Sequence, residues 1–435
     1  MDYLQEIRAA QGDPRCLEEL YQTARREQDK DEFRAAMLSC YRESPDNVLY
    51  AVWYYRLQQT PEEDEAKGRS INWKLAILLS AITGLVFWIL SNPRFEFSNG
   101  MPYLMLVWAL VGGCAIIAFL TITAGVNVKP ASLVIAGLLV IGLYVTIFAT
   151  SQHRQHYRDL MLLHLPLLAW IGAGISVLGP RSDHQNRFAF LIKSIEVFIT
   201  GGLYLGAGGA FVGITIGMFE ALDIKLSDEV MRVLIAGGAG LVPVLAVAGV
   251  YDPHVRPIAQ RFQQGLGKVI YTLMRLLMPL TLLVLVIYLF VIPFNFMEPF
   301  RKREVLIVYN VMLFAVMGLL IGATPVRAAD LSEKQQSALR TGMLAVAVLA
   351  TLVSLYALSA TVYRTILGGM TMNRLTVIGW NSINIGILVL LVYKQLRDGR
   401  AQWIRSLQSA FSLGTVGYIA WALFLTLAIP LLFKG

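Results

Sequence analysis

The residues best placed to do chemistry lie in a short polar break between two long apolar runs near the C-terminus. Arg364 ends the first run, a pair of glycines follows, and Arg374 opens the second run. One glycine can take the left-handed conformation that ends a helix, and Thr371 or Asn373 can cap the next helix. The first turn of that helix has free backbone N–H donors and the positive end of the helix dipole. The arginines and these donors predict a site for an anion, either a lipid phosphate or an acidic solute.

A tight helical hairpin at the membrane surface would use the same residues without binding anything. Tyr363 precedes Arg364, and both side-chain types anchor helices at the lipid headgroups. In the second run, Asn381 and Asn384 lie three residues apart, so they share one face of a helix. Asparagines in such a run hydrogen-bond neighbouring helices or line a polar cavity. We therefore count Tyr363, Asn381 and Asn384 as candidate binding residues and keep the packing alternative open.

Three further charged residues lie inside apolar runs, where an ionic group is costly unless it is paired. Lys193 and Glu196 are three residues apart. They predict either an internal ion pair or an interfacial helix whose polar side faces the headgroups. Arg275 stands about two turns into its run, four residues before Pro279. Its side chain either extends back to the membrane surface or pairs inside the helix bundle.

The remaining groups support no familiar enzyme chemistry. The sequence has no His-Glu-x-x-His, Gly-x-Ser-x-Gly or phosphate-loop motif, and its three cysteines stand at no metal-ligand spacing. Buried carboxylates, which proton-coupled transporters need, are nearly absent from the apolar runs. We predict no catalytic residue, no metal site and no cofactor. Enzymatic activity is left open, but no motif supports it.

Composition assigns the chain to the helical membrane proteins. Its 435 residues have a mean hydropathy of +0.59, and 15% are charged, against about a quarter in soluble domains. Apolar runs near the ~20 residues that cross a bilayer recur from Trp73 onward. We predict an all-α polytopic bundle over residues 71–435. It has about eleven spans, at residues 73–91, 102–123, 131–149, 159–179, 190–219, 230–250, 269–292, 304–323, 338–361, 375–393 and 409–433.

Residues 1–70 are predicted to form a separate soluble helical head, with a linker at residues 59–70. The head holds fifteen of the 29 acidic residues and three runs of helical periodicity, at 17–24, 33–40 and 48–57. These short helices look weakly like tetratricopeptide units, and a single unit of that kind cannot bury its own apolar face. The head is either a small cap over the membrane domain or a module that docks a partner.

The positive charges predict the orientation of the chain. With the N-terminus in the cytoplasm, seventeen Lys and Arg residues fall on the cytoplasmic side and ten on the other. The cluster Arg301–Arg303 falls on the side that the rule disfavours. The net charge of +8 is explained by these loop charges, so we predict no nucleic-acid partner.

A stripe of small residues runs through the fifth span. Its members recur at intervals of three and four: Gly202, Gly206, Ala210, Gly213 and Gly217. The stripe predicts close packing against another helix, and the glycines of the sixth span, at 237, 238 and 240, make that span the expected partner. The alternative is an unwound binding segment at Gly201–Gly202 or Gly208–Gly209.

Two stretches of the C-terminal half resemble a known family. The run Leu273–Val291, with Arg275 and Pro279, precedes an aromatic loop, and residues 363–374 contain Tyr-Arg followed by Gly-Gly-Met-Thr-x-Asn-Arg. Together they resemble the pattern of a large family of uncharacterised bacterial polytopic membrane proteins, a family defined by a domain of unknown function. Its members usually have Tyr-Gly-Leu-Thr where this chain has Gly-Gly-Met-Thr. The resemblance implies a bacterial cytoplasmic (inner) membrane and no established activity.

Two functions follow as hypotheses. The first is a permease or flippase-like protein for an anionic solute or lipid, with membrane lipids as partners. The second is a non-transporting scaffold or sensor subunit that docks a partner protein through the head at residues 1–70.

Overall fold

A computed structural model describes residues 3–27, 29–58, 71–97, 100–150, 155–179, 182–262, 264–327 and 331–433. The chain divides into two compact units, Met1–Ser70 and Ile71–Gly435. The described residues form helices and connecting turns without a β-strand, so the all-α prediction is confirmed. The predicted linker at 59–70 lies outside the described residues.

The described residues of the head form four helices. Their bounds are α1 (Tyr3–Ala9), α2 (Pro14–Glu27), α3 (Lys30–Glu43) and α4 (Val48–Gln58). The three helices expected from periodicity are present, and α1 is an addition. Tyr3 and Ile7 of α1 are buried with Phe33 and Trp53 in one core. With α1, these helices bury an apolar core of their own.

Trp53 is expected to stabilise the head more than any residue on its surface. Its side chain is buried, its ring centroid lies 5.4 Å from that of Tyr21, and the Arg56 guanidinium lies over it. Trp53→Ala should cost about 3–5 kcal/mol of unfolding free energy, because it removes a large buried ring and leaves a cavity. Brief proteolysis of the full chain should then cut the head rapidly. Tyr55→Ala changes an exposed position of the same helix, so the protease should cleave it at the wild-type rate. Equal cleavage rates for the Trp53 and Tyr55 variants would contradict the described core.

The described residues of the membrane unit contain eleven helices that are long and apolar enough to cross a bilayer, which confirms the predicted count of about eleven. They are α5 (Trp73–Leu90), α6 (Tyr103–Ala124), α7 (Val128–Ala149), α8 (Gln155–Leu178), α9 (His184–Glu220), α10 (Asp228–Val250), α11 (Gly265–Val291), α13 (Arg303–Ala323), α14 (Glu333–Gly368), α15 (Met372–Arg397) and α16 (Trp403–Leu432). A short helix, α12 (Glu298–Arg301), lies between α11 and α13. The chain is therefore a multi-pass membrane protein.

Successive spans reverse direction, and this order defines two ends of the bundle. We call the end where α5 begins the proximal end and the opposite end the distal end. The helices that begin at the distal end are α6, α8, α10, α13 and α15. Several helices are longer than the spans predicted for them. Helix α14 has 36 residues and is therefore about 54 Å long, whereas the hydrocarbon core of a bilayer is about 30 Å thick.

The glycine stripe does not pack as predicted. Helix α9 is continuous, so it has no unwound segment, and its buried residues all precede Gly201. A Cβ atom on Gly206 or Gly213 would meet no described atom within 4 Å. Helix α9 does pack against α10 as predicted, but at Gly201, before the stripe, where a Cβ would lie 3.7 Å from the Ala246 Cβ. The tighter backbone crossing of α10 is with α5, where a Cβ on Gly240 would lie 2.7 Å from the Gly84 Cα. The stripe therefore predicts the right pair of helices but not the place where they touch.

Candidate functional site: an arginine-lined mouth and an internal chamber

The polar break near the C-terminus has the predicted local structure. Helix α14 ends at Gly368, and Gly369 has a φ of +77°, a value that favours glycine. Thr371 is the N-cap of α15, since its hydroxyl accepts a hydrogen bond from the Arg374 backbone N–H at 3.3 Å. The turn places α14 and α15 side by side at the distal end.

A cavity of about 560 Å³ opens at this turn. Four of the predicted site residues line it: Arg364, Thr371, Asn373 and Arg374. Arg303, at the start of α13, completes a set of three arginines around the same space. We call this cavity the arginine mouth. Among the described residues, it is lined by no carboxylate.

The three guanidinium groups have no carboxylate partner in the described parts of the chain. Arg364 donates to the Arg301 carbonyl oxygen at 3.1 Å, and Arg374 donates to the Gly369 carbonyl oxygen. The nearby carboxylate of Glu298 is engaged by Lys302 at 2.7 Å. That hydrogen bond raises the pKa of the Lys302 ammonium group. The mouth therefore keeps a positive charge.

Helix ends add to that charge. Residues from the first turns of three helices line the mouth: His156 of α8, Arg303 of α13 and Asn373 of α15. Helix N-termini carry unpaired backbone N–H groups and the positive end of the helix dipole. The mouth thus combines side-chain and backbone features that favour an anion.

An internal chamber of about 870 Å³ continues from the mouth. The two cavities share four lining residues, His156, Arg303, Asn373 and Val377. The chamber lies between α8, α9, α13, α15 and α16, and its walls are mainly apolar. Asp159 is the single described carboxylate that lines it.

Two residues of the chamber wall, Trp380 and His164, are joined by a hydrogen bond. The Trp380 indole N–H donates to Nε2 of His164 at 3.1 Å, and His164 Nδ1 lies 2.7 Å from the Leu160 carbonyl oxygen. These contacts assign the imidazole proton to Nδ1 and leave Nε2 as an acceptor. His164 is buried, and a neutral ring fits this position.

The asparagines lie apart from the mouth. Asn381 donates to the Asn310 side chain of α13 at 2.8 Å, and Asn384 accepts a hydrogen bond from the Tyr418 hydroxyl of α16. Both are buried and join α15 to its neighbours. Tyr363 does not line the mouth either; its ring packs edge-on against Phe300 at 5.5 Å. These three residues thus have packing contacts rather than positions at the arginine mouth.

The charged residues within the spans are paired inside the bundle. Lys193 Nζ lies 2.7 Å from Glu196 Oε2, and both side chains are buried. Arg275 donates from Nε to the carbonyl oxygen of Ala323, the last residue of α13, at 3.5 Å. A cation at a helix C-terminus is favoured by the helix dipole. Neither arrangement contributes to the mouth.

The Lys193–Glu196 pair gives a prediction about stability. Lys193→Met should cost about 3–5 kcal/mol, because it leaves the Glu196 carboxylate buried without its partner. The double variant Lys193→Met/Glu196→Gln should recover most of that loss, since no lone charge remains. Thermal unfolding in detergent, followed by size-exclusion chromatography, measures the unfolding temperature of each variant. Equal unfolding temperatures for the single and double variants would show that Lys193 does not compensate the buried charge of Glu196.

Sequence reasoning missed part of the site. The sequence alone presents Arg303 as a loop charge and does not point to Asn310. The available signal is the cluster Arg301–Arg303, which the predicted orientation places on the disfavoured side. A charge at such a position suggests another role, and Arg303 lines the mouth.

Comparison of the chain with models of known protein families, with curated proteins and with solved structures gives no match. The resemblance of its C-terminal half to a family of uncharacterised bacterial membrane proteins stays a prediction.

Proposed function

We propose that this membrane protein binds an anion at the arginine mouth and moves it through the chamber, as a permease or flippase-like protein for an anionic solute or lipid. The observation that carries the proposal is the set of three arginines without carboxylate partners around a mouth that continues into a chamber. Charge-assisted hydrogen bonds from guanidinium groups favour phosphate and carboxylate ligands. The proposal requires no catalytic residue, metal or cofactor.

We further propose a bacterial inner membrane as the location, with the proximal end in the cytoplasm. The excess of Lys and Arg at the proximal loops supports this orientation. The mouth then opens on the outer face of the membrane. An anion at that face has to pass the positive ring before it reaches the apolar chamber.

Reconstitution in phosphatidylcholine vesicles tests this function. One arm follows the flipping of a trace of fluorescent phosphatidylglycerol, by chemical bleaching of the outer leaflet. The other arm follows the uptake of radiolabelled glycerol phosphate. The wild type should accelerate at least one process relative to the double variant Arg303→Gln/Arg374→Gln. Equal rates for the two proteins in both arms would contradict the proposal.

A scaffold or sensor role is the second candidate, and the surface of the head favours it. Val48, Val52 and Tyr55 share one face of α4 at spacings of four and three, and they are 76%, 56% and 55% exposed. An exposed apolar face of this kind is typical of a surface that binds a partner. In this reading the head captures a protein, and the membrane unit holds it at the bilayer.

A capture experiment tests the second candidate. The intact protein should retain a partner that is lost when Val48, Val52 and Tyr55 are all replaced by serine. A control with serine at the exposed positions Arg15 and Glu19 of α2 should retain it. Identical sets of bound proteins from all three samples would rule this role out.

A further inference from the structure

We propose that the ligand of the arginine mouth is an anionic lipid, which binds with its phosphate at the mouth and one acyl chain in the chamber. This inference rests on the proposed function, and it adds the chemical class of the ligand and the route by which it enters.

The walls suit a hydrocarbon chain better than a soluble anion. Most of the lining residues are aliphatic or aromatic; examples are Leu163, Leu191, Phe198, Phe314, Met317 and Ile321. A soluble anion that entered would lose its hydration and gain few hydrogen bonds in return. An acyl chain would instead gain from the burial of each methylene group.

The chamber is also open sideways. Leu163 of α8, Phe198 of α9 and Phe314 of α13 all line it, yet they are 74%, 62% and 46% exposed. Side chains that line a sealed chamber would be buried. The gap framed by these three helices therefore connects the chamber with the space around the protein, and in a membrane that space is filled by lipid chains.

The depth of this gap identifies its surroundings. Leu163 lies eight residues after the start of α8, and Phe314 lies eleven residues after the start of α13. At about 1.5 Å per residue, they stand about 12 and 16 Å from the distal ends of their helices. Half of a hydrocarbon core is about 15 Å thick, so the gap faces acyl chains and not water.

Mouth and chamber adjoin and share part of their lining, so a single amphiphile can occupy both. The shared residues His156, Arg303, Asn373 and Val377 lie at the junction. A phosphate at the arginines would place the first part of its acyl chain beside Val377 and the rest against the apolar walls. A chain can slide in through the lateral gap while its headgroup stays at the polar surface.

The experiment fills the chamber without touching the arginines. Gly318 of α13 lines the chamber, and a Cβ atom there would meet no described atom within 4 Å. The Cβ atom of Gly318→Leu therefore meets open space, and the rest of the side chain should occupy chamber volume. Gly386→Leu is the matched control, because this glycine of α15 also has an open Cβ position but is not among the described residues that line the chamber.

The full-length proteins are placed in nanodiscs of mixed phosphatidylcholine and phosphatidylglycerol, and native mass spectrometry counts the retained lipids. The wild type and Gly386→Leu should retain phosphatidylglycerol preferentially, and Gly318→Leu should retain at least about tenfold less. Binding of soluble glycerol phosphate is measured in parallel. If glycerol phosphate binds through the arginines and Gly318→Leu changes no lipid retention, the lipid inference fails and the proposed function stands. If neither probe responds to replacement of the arginines, the proposed function itself fails.

A second measurement needs no variant, so it does not depend on the folding of Gly318→Leu. Phosphatidylglycerol with a photoreactive group in its acyl chain is irradiated with the wild-type protein. Adducts should map to peptides that contain Leu163, Phe198 or Phe314, and unlabelled phosphatidylglycerol should compete better than phosphatidylcholine. Adducts spread evenly over the outer helix surfaces would overturn the inference.

Discussion

Replacement of Arg303, Arg364 and Arg374 together by glutamine is expected to weaken anion binding by more than about 100-fold. Each guanidinium can donate charge-assisted hydrogen bonds worth roughly 1.5–3 kcal/mol to a phosphate, so each single variant should lose about tenfold or more. Since part of this attraction is electrostatic and exposed to water, the wild-type affinity should fall as salt is added. Titration of the purified protein with glycerol phosphate and with short-chain phosphatidylglycerol measures the loss.

Arg301→Gln is the matched control for this prediction. It removes the same charge two residues before the start of α13, but Arg301 is not among the described residues that line the mouth. Its carbonyl oxygen, which accepts the Arg364 hydrogen bond, is unchanged by the substitution. If Arg301→Gln weakens binding as much as Arg303→Gln, general surface charge explains the affinity and the mouth does not.

Gly240→Ala is expected to destabilise the membrane unit by about 1–3 kcal/mol, although it adds only one methyl group. The new Cβ would lie 2.7 Å from the Gly84 Cα and 2.9 Å from the Thr83 carbonyl oxygen. Both atoms belong to the backbone of α5, so relief requires the two helices to move apart. The melting temperature in detergent should fall.

Gly238→Ala supplies the comparison from the same helix. A Cβ atom at Gly238 would meet no described atom within 4 Å, so the methyl group should be harmless or slightly stabilising. Both variants change a glycine to alanine in α10, and only the contact with α5 differs. Equal melting temperatures for the two variants would show that α5 and α10 do not cross as described.

Apolar run length explains why the architecture was predictable. Each span needs about 20 apolar residues, and the length of an apolar run can be counted directly in the sequence. The local break at Gly369 and Thr371 was predictable for a similar reason, because capping uses residues that are close in sequence. Helix α1 was missed because its seven residues are too few for a clear period.

Contacts between distant segments were not predictable in the same way. Arg303 lies some seventy residues before Arg374, and only the packing of α13 beside α15 brings both to one cavity. Asn381 depends on packing in the same way: its hydrogen-bond partner is Asn310 of a neighbouring helix, and Asn310 lines the mouth. The stripe on α9 shows a similar limit: α10 is its neighbour as predicted, but the contact lies at Gly201 and not along the stripe.

Electron cryomicroscopy of the protein in nanodiscs that contain phosphatidylglycerol tests the central claim most directly. The account predicts lipid-shaped density whose phosphate lies among Arg303, Arg364 and Arg374, with one acyl chain running past Val377 into the chamber. Density for an ordered anionic lipid only on the outer helix surfaces, with the chamber filled by side chains, would contradict it.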